Sequence, residues 1–236
     1  MTNTCTMVLW INPGEECLED QVERIFETLS EICKIDTLHP EFLTSRSKKA
    51  AKKFILTKEN IQKLILKKQD KLFSDLGSTL SFFTSMNDDE ANGISISTGI
   101  TNTKFNNSLV IDIDSSDLIN DDEKLLQLIP LFKKIVKINK PFYACITDRG
   151  NKSLYDGYIN TEKKQPKAAY WMNYWGKDIV SQINFRQAYT NEELNRIYDI
   201  EEYEGGYFLN LTKEPTDFEN NEHMVLQKSI NSILGL

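Results

Sequence analysis

The stretch Ser78–Asp114, STLSFFTSMNDDEANGISISTGITNTKFNNSLVIDID, decides the fold because three short segments in it alternate apolar and polar residues. These segments are Thr79–Thr84, Gly93–Thr98 and Ser108–Ile113. Alternation with period two is typical of half-buried strands, and the Asn- and Asp-rich connectors favour turns. The stretch therefore predicts an antiparallel three-stranded meander. Its buried face should carry Leu80, Phe82, Ile94, Ile96, Leu109, Ile111 and Ile113.

The residues ahead of the meander predict one strand and two helices. A strand over Thr4–Ile11 ends at the turn-forming Asn12-Pro13-Gly14. From Glu15 to Lys34 apolar residues recur every three or four positions with acidic residues opposite, which is typical of an amphipathic helix. A second helix is predicted over Thr57–Lys68, with Thr57 as its N-cap.

The residues after the meander predict a similar mixture. A helix spans Asp122–Ile138, and Pro130 should kink it or delay its start. A strand over Pro141–Thr147 and a turn at Asp148–Asn151 follow. Three further strands are predicted, a return strand around Leu154–Tyr158 and two strands over Ile197–Ile200 and Gly206–Leu211 joined through Glu201–Gly205. Two further helices are predicted, a short one over Asp178–Ile183 and a last one from a capping box at Thr216–Glu219 to Leu234.

These elements together predict an α+β fold. It should consist mainly of antiparallel sheets covered by amphipathic helices. The sequence shows neither a fixed repeat nor a low-complexity linker. We therefore expect a single domain over residues 1–236, built as two sheet-and-helix halves.

The composition is that of an ordinary globular protein, with 40% hydrophobic and 27% charged residues among 236. No apolar run approaches the ~18 residues of a membrane span. The N-terminus lacks the basic start and apolar core of a signal peptide, so the expected compartment is the cytoplasm. Four widely spaced cysteines are expected to be reduced, with Cys17 and Cys33 near buried helical positions; they are Cys5, Cys17, Cys33 and Cys145.

Charge is unevenly distributed along the chain. The net charge of −7 argues against general nucleic-acid binding. Ten basic and two acidic residues between Arg46 and Lys71 give this segment a local charge of +8. The segment is interpreted either as a solvated helix face or as a site for an anionic ligand. Six acidic residues and no basic one between Asp112 and Glu123 give −6, and ten acidic against four basic residues from Arg186 to Leu236 give −6 again. Such a chain can offer an acidic surface to a basic partner.

The sequence carries no recognisable catalytic or cofactor motif. His39 and His223 are far apart, without metal-ligand spacing, and GxSxG, GxGxxG and GxxxxGK[ST] are absent. Asp112, Asp114, Ser116, Asn120 and Glu123 match several positions of a calcium loop, but Asp117 replaces the glycine of the sharp turn. A solvated acidic strand face explains these carboxylates without a metal. We therefore expect no catalytic residue, metal or cofactor.

The segment Gln165–Gly176 holds the densest aromatic cluster, with Tyr170, Trp171, Tyr174 and Trp175. Core packing is the favoured role for these rings, and contact with a partner is the next.

The order of elements resembles the bacterial polymorphic-toxin immunity proteins of the family called immunity protein fifty-two. The resemblance starts with Val8-Leu9-Trp10 at the end of a first strand, an amphipathic helix, and a basic segment leading into a second helix at Arg46–Lys68. The meander strands, the Asp156-Gly157 step and Tyr170–Tyr174 continue it. The segment Gly206–Thr212, followed by Pro215-x-Asp217, is similar to related type VI immunity proteins. The family's usual basic residue soon after the tryptophan is absent here.

This resemblance implies a non-catalytic antitoxin that binds a cognate secreted toxin domain, often a nuclease, in the cytoplasm of the producing cell. A nuclease cleft is basic because it holds phosphates, so an acidic surface can cover it. From charge and composition we expect two acidic runs and two aromatic anchors to bind the partner: Asp121, Asp122 and Glu123; Glu201, Glu202 and Glu204; Trp171 and Tyr203.

Two other functions remain open at this point. One is a structural or regulatory interaction module unrelated to toxins. The other is an enzyme with dispersed acidic groups such as Asp112, Asp114 or Glu123, which a tightly bound metal or a deep pocket lined by them would favour.

Overall fold

The chain divides into two units, residues 1–140 and 141–236, each containing antiparallel strands and helices. The computed structural model describes residues 4–44, 51–87, 90–113, 121–160, 163–184 and 196–236. The architecture is α+β, as the sequence predicts. That the whole chain forms one domain stays a prediction.

The described part of the first unit contains six strands, and the predicted meander lies among them. They are β1 (Cys5–Ile11), β2 (Phe42–Leu43), β3 (Lys52–Lys53), β4 (Leu76–Phe83), β5 (Gly93–Ile100) and β6 (Asn107–Ile113). Their order is β1-β6-β5-β4-β2-β3, with antiparallel neighbours. The meander is confirmed, and its seven predicted apolar residues are all buried. The N-terminal strand pairs with β6, where Leu9 lies opposite Leu109.

Four helices of the described first unit accompany these strands: α1 (Leu18–Ile32), α2 (Lys58–Lys68), α3 (Asp122–Leu126) and α4 (Leu128–Asn139). Helix α1 contacts both α2 and α4. Thr57 caps α2 as predicted, since its side chain accepts the backbone N–H of Asn60 at 3.2 Å. The predicted helix over Asp122–Ile138 is two helices that meet at Gln127. Pro130 thus lies in the first turn of α4, where its missing N–H has no helical partner to lose.

A polar network around Arg24 ties α1 to β5 and α4. The guanidinium donates to both carboxylate oxygens of Glu16 at 2.9 and 2.8 Å, to Thr98 Oγ1 at 2.8 Å and to Asn139 Oδ1 at 3.1 Å. Asn139 Nδ2 donates in turn to Thr28 Oγ1 at 2.9 Å. Arg24 is therefore a structural residue, although a lone arginine on an amphipathic helix looks like a solvated charge in the sequence.

In the second unit the described strands are β7 (Tyr143–Asp148), β8 (Ile159–Asn160), β9 (Gln165–Pro166), β10 (Met172–Trp175), β11 (Asp199–Tyr203) and β12 (Gly206–Asn210). The order β7-β10-β12-β11 is antiparallel throughout, and β8 and β9 form a separate hairpin. Helices α5 (Arg149–Leu154), α6 (Lys177–Val180) and α7 (Asn221–Leu234) complete the described unit.

Two predictions about helix starts in this unit are wrong. Asp148–Asn151 does not form a turn: Asp148 accepts the backbone N–H of Asn151 at 2.7 Å and thereby starts α5, so Leu154 ends a helix rather than beginning a return strand. The capping box at Thr216 is also wrong, because Asn220 caps α7 through the backbone N–H groups of Glu222 and His223. Thr216 is buried and its hydroxyl pairs with that of Thr212 instead.

The aromatic cluster forms core, as the sequence favoured. Tyr170, Trp171, Tyr174 and Trp175 are 0 to 3% exposed. Helix α7 holds the neighbouring backbone in place through two hydrogen bonds to Ala169. The Gln227 side chain donates to the carbonyl of Ala169, and the Asn231 side chain accepts the backbone N–H of Ala169, both at 2.7 Å. Residues i and i+4 lie on one helix face, so this pair fixes α7 against the segment that enters β10.

Candidate partner-binding hairpin

The acidic run Glu201–Glu204 lies on the hairpin formed by β11 and β12. The sequence predicts Glu201–Gly205 as a connector, but Glu201, Glu202 and Tyr203 are strand residues that pair with Phe208, Tyr207 and Gly206. Only Glu204 and Gly205 form the turn. The run is therefore held at fixed spacing on a strand.

The turn is a tight two-residue connection. Glu204 and Gly205 have φ angles of 47° and 76°, and positive φ at both central residues matches the turn type that suits the twist of a hairpin. The Tyr174 hydroxyl on β10 donates to the carbonyl of Glu204 at 3.1 Å. This bond anchors the tip of the hairpin to the neighbouring strands.

Gly206, the first residue of β12, allows the close packing of the hairpin. A Cβ at this position would lie 2.3 Å from the carbonyl oxygen of Trp175. Because a backbone atom cannot move aside as a flexible side chain does, any larger residue would displace the strand. The glycine is thus needed for the position of the acidic strand.

The hairpin concentrates negative charge at the end of the strand order. Asp199, Glu202 and Glu204 are exposed, and Glu201 and Tyr203 are half-buried. Burial raises the pKa of the Tyr203 phenol, and the carboxylates of Glu204 and Glu201 raise it further. Tyr203 therefore keeps its proton at neutral pH and can donate a hydrogen bond beside the carboxylates. The combination suits a partner that offers cations and hydrogen-bond acceptors.

The second acidic run lies in the other unit, at the start of α3. Asp121 Oδ1 accepts the backbone N–H groups of Glu123 and Lys124 at 3.0 and 3.1 Å, and Lys124 Nζ is 3.7 Å from its other oxygen. The charge of Asp121 thus serves helix capping. Glu123 is exposed, and the side chain of Asp122 lies outside the described residues.

Trp171 does not fit the predicted role of a surface anchor. Its side chain is 1% exposed, and the indole N–H donates to the carbonyl of Thr212 at 3.1 Å. The ring fills the core of the second unit and has almost no area to offer a partner. Tyr203 on the hairpin remains accessible in part.

Two of the residues weighed for metal binding or catalysis, Asp112 and His223, have structural contacts. Asp112 Oδ1 accepts the Thr6 hydroxyl at 3.0 Å across the β1–β6 ladder. His223 Nδ1 accepts the backbone N–H of Asp217 at 3.1 Å, and His39 follows a single 3-10 turn and is exposed. Residues 114–120 of the calcium-like run lie outside the described residues. Within the described ranges, no group of three or more His, Cys, Asp or Glu side chains is arranged to hold a metal ion.

Asp148 is the buried carboxyl that sequence analysis missed. It is 6% exposed, and burial raises its pKa above the ordinary value despite the backbone N–H groups that stabilise its charge. The adjacent Asn151 is fully buried. In the sequence, Asp148 is recognisable only as an aspartate after a strand that could cap a helix. Its burial depends on the tertiary structure, so the sequence does not indicate it.

The four cysteines are free thiols in different environments. Cys17 is exposed at the N-cap of α1. Cys5 and Cys145 are buried, and burial raises the pKa of the Cys33 thiol to about 11.

Comparison with known proteins shows the fold of the chain. No family model matches it, and no curated protein matches it. Among solved structures it is similar to a Pseudomonas aeruginosa protein described as a T6SS protein, with a TM-score of 0.70 and 11% sequence identity. The match covers 99% of this chain and 73% of the other. Similarity at this identity establishes a shared fold, and membership of the immunity protein fifty-two family stays a prediction.

The helices in the described part of the chain are all too short or too polar to cross a bilayer.

Proposed function

We propose that this chain is an immunity protein linked to type VI secretion, which binds a cognate secreted toxin and blocks its active cleft. The observation that carries the proposal is the acidic hairpin of β11 and β12, defined by Asp199–Glu204 and held by Tyr174 and Gly206. The shared fold with a T6SS protein supports the same setting. No turnover is involved, so the protein acts through affinity alone.

The toxin that best suits this surface is a nuclease. A nuclease binds polyphosphate, so its cleft is rich in Lys and Arg, and an acidic strand can occupy the same positions. Complementary charge also speeds association, which matters for an antitoxin that must act before damage occurs. Because the nucleic acid that such a toxin cleaves is in the cytoplasm, we expect the immunity protein to bind the toxin in the cytoplasm of the producing cell.

The hairpin is suited to this role because its backbone needs little ordering on binding. Three hydrogen-bonded strands fix the backbone, and Tyr174 holds the turn. A preorganised surface loses less conformational entropy on association than a mobile loop. Tyr203, protonated and half-buried, supplies an aromatic contact at the same place.

The test is calorimetric titration into the toxin domain encoded beside this chain, followed by a nuclease assay of the mixture. We expect tight binding and loss of nuclease activity. An absence of heat with full nuclease activity contradicts the proposal and favours an interaction module unrelated to toxins.

The contact surface is tested with a charge-reversed hairpin. The double variant Glu202→Lys with Glu204→Lys should weaken toxin binding about tenfold or more at low salt, and the difference from the unaltered protein should shrink as salt screens the charges. The control is Glu27→Lys with Glu219→Lys, which changes the charge equally at two exposed positions outside both acidic runs. If both pairs of substitutions weaken binding equally, or if neither pair weakens it, the hairpin is not part of the interface.

The run at α3 is tested separately with Glu123→Lys, because it lies in the other unit. Asp121 is left unchanged, since it caps the helix.

A further inference from the structure

A groove with an apolar floor and a basic rim lies in the first unit, where α2, the β2–β3 hairpin and β4 meet. Leu43, Leu64 and Leu80 form its apolar floor. Lys52, Lys67 and Lys68 also line it and form its basic rim. The strands are joined at this place by Thr44, whose backbone N–H and hydroxyl both donate to the carbonyl of Ser81. The acidic hairpin belongs to the second unit, so this groove is a separate feature.

The three lysines bring uncompensated positive charge to the groove. All three are exposed, and none forms an ion pair with a residue that the structure describes. By contrast, Lys58 on the same helix pairs with Glu23 and lies over the ring of Phe26. Lys67 and Lys68 lie in the last turn of α2, where positive charge interacts favourably with the helix dipole. That interaction does not explain why Lys52 of β3 lies at the same groove.

The size of the groove limits what it can bind. Its volume is about 200 Å³, which is below the range of roughly 300–1,000 Å³ typical of small-molecule sites. One apolar side chain of leucine size fits such a space. The lining residues include no aromatic ring on which a base could stack.

We propose that this groove binds a short acidic segment of a partner protein. An apolar side chain of the segment enters between the three leucines, and flanking carboxylates pair with Lys52, Lys67 and Lys68. The concave shape favours a peptide over a bilayer surface, because a concave apolar floor cannot reach acyl chains. The site is independent of toxin binding by the hairpin, so either can fail without the other.

The probe is a fluorescently labelled peptide with one leucine between two pairs of glutamates, and fluorescence anisotropy measures its binding at rising sodium chloride. We expect binding that weakens with salt. Replacing the leucine by serine should weaken binding about tenfold or more, since burial of a leucine is lost. Replacing the glutamates by lysines should abolish it.

Two matched pairs of variants locate the site. Lys67→Glu with Lys68→Glu should abolish binding, and Lys53→Glu with Lys63→Glu should not, because those lysines are exposed but do not line the groove. Should the change at the end of α2 unfold the helix, Lys52→Glu and Lys53→Glu give the same comparison on β3. These neighbours point to opposite faces of one strand.

Four results overturn the proposal. One is no binding of the glutamate–leucine peptide, and another is equal loss in the lining and non-lining variants, which indicates general charge attraction. The third is equal binding of the serine peptide, which means that no apolar side chain enters the groove. The fourth is binding to phosphatidylserine vesicles in place of the peptide, which indicates an anionic surface rather than a protein segment.

Discussion

At the scale of single residues, Asp148 shows how one buried carboxyl couples local structure to pH. It ends β7 and caps α5, and its burial raises its pKa above the ordinary value. In the unfolded chain the same group ionises near its ordinary value. Between the two values the folded state binds more protons than the unfolded state, so the free energy of unfolding falls as pH rises through that interval.

The variant Asp148→Asn should remove this pH dependence and keep the cap, because asparagine also caps helices well. We expect the stability of the variant relative to the unaltered protein to increase as pH rises from about 4, and then to level off. Urea denaturation at a series of pH values measures it. Asp178→Asn is the control, since Asp178 is exposed; a stability difference that is constant with pH would contradict the prediction.

Gly206 is a second residue whose role is decided by a single distance. Gly206→Ala would place a methyl group against the carbonyl oxygen of Trp175. We expect a loss of about 1–3 kcal/mol in the free energy of unfolding, typical of overpacking. Gly14→Ala is the matched control, because no atom lies within 4 Å of a Cβ there and its φ is not positive. Equal thermal stability of the two variants would show that the hairpin shifts freely.

At the scale of elements, helix α1 is joined to the rest of its unit by a polar network as well as by its apolar stripe. Val22, Ile25, Leu29 and Ile32 are buried as the periodicity predicts. The contacts of Arg24 with Glu16, Thr98 and Asn139 add specific geometry to that packing. Such networks fix which face of a helix meets which strand.

The variant Arg24→Met should therefore reduce the free energy of unfolding by about 3 kcal/mol, because it leaves the carboxylate and amide partners without a donor. The double variant Arg24→Met with Glu16→Gln should recover part of this loss, since the partner is then neutral. Urea denaturation of the four proteins of the cycle measures the coupling. Additive losses would mean that the ion pair contributes nothing of its own.

At the scale of the whole molecule, the chain carries candidate surfaces of both charges. The first unit contains the basic groove on α2, β3 and β4 and also the acidic run at α3, and the second unit contains the acidic hairpin. The net charge of −7 conceals the basic groove. A protein with both surfaces can meet two partners of opposite charge, and salt should weaken both interactions.

The sequence by itself determined the longer strands β1, β4 to β7, β11 and β12, most helices and the α+β class, because these depend on local periodicity. The short strands β2, β3, β8 and β9, and also β10, were not predicted. The alternation in Ser78–Asp114 and the stripe of α1 specify which residues are buried whatever lies against them. Charge counts likewise located both the acidic runs and the basic segment, since a run of like charges is visible without a fold.

Only the tertiary structure decided how deep a residue lies and which distant residues meet. The sequence offers Trp171 and Tyr203 alike as aromatic anchors for a partner, yet one is core and the other is half-buried on the hairpin. The groove joins Leu43, Leu64 and Leu80 from three elements, and the bond from Tyr174 to Glu204 spans 30 positions. Such contacts depend on strand pairing and packing between segments far apart in the chain, and local patterns carry no record of them.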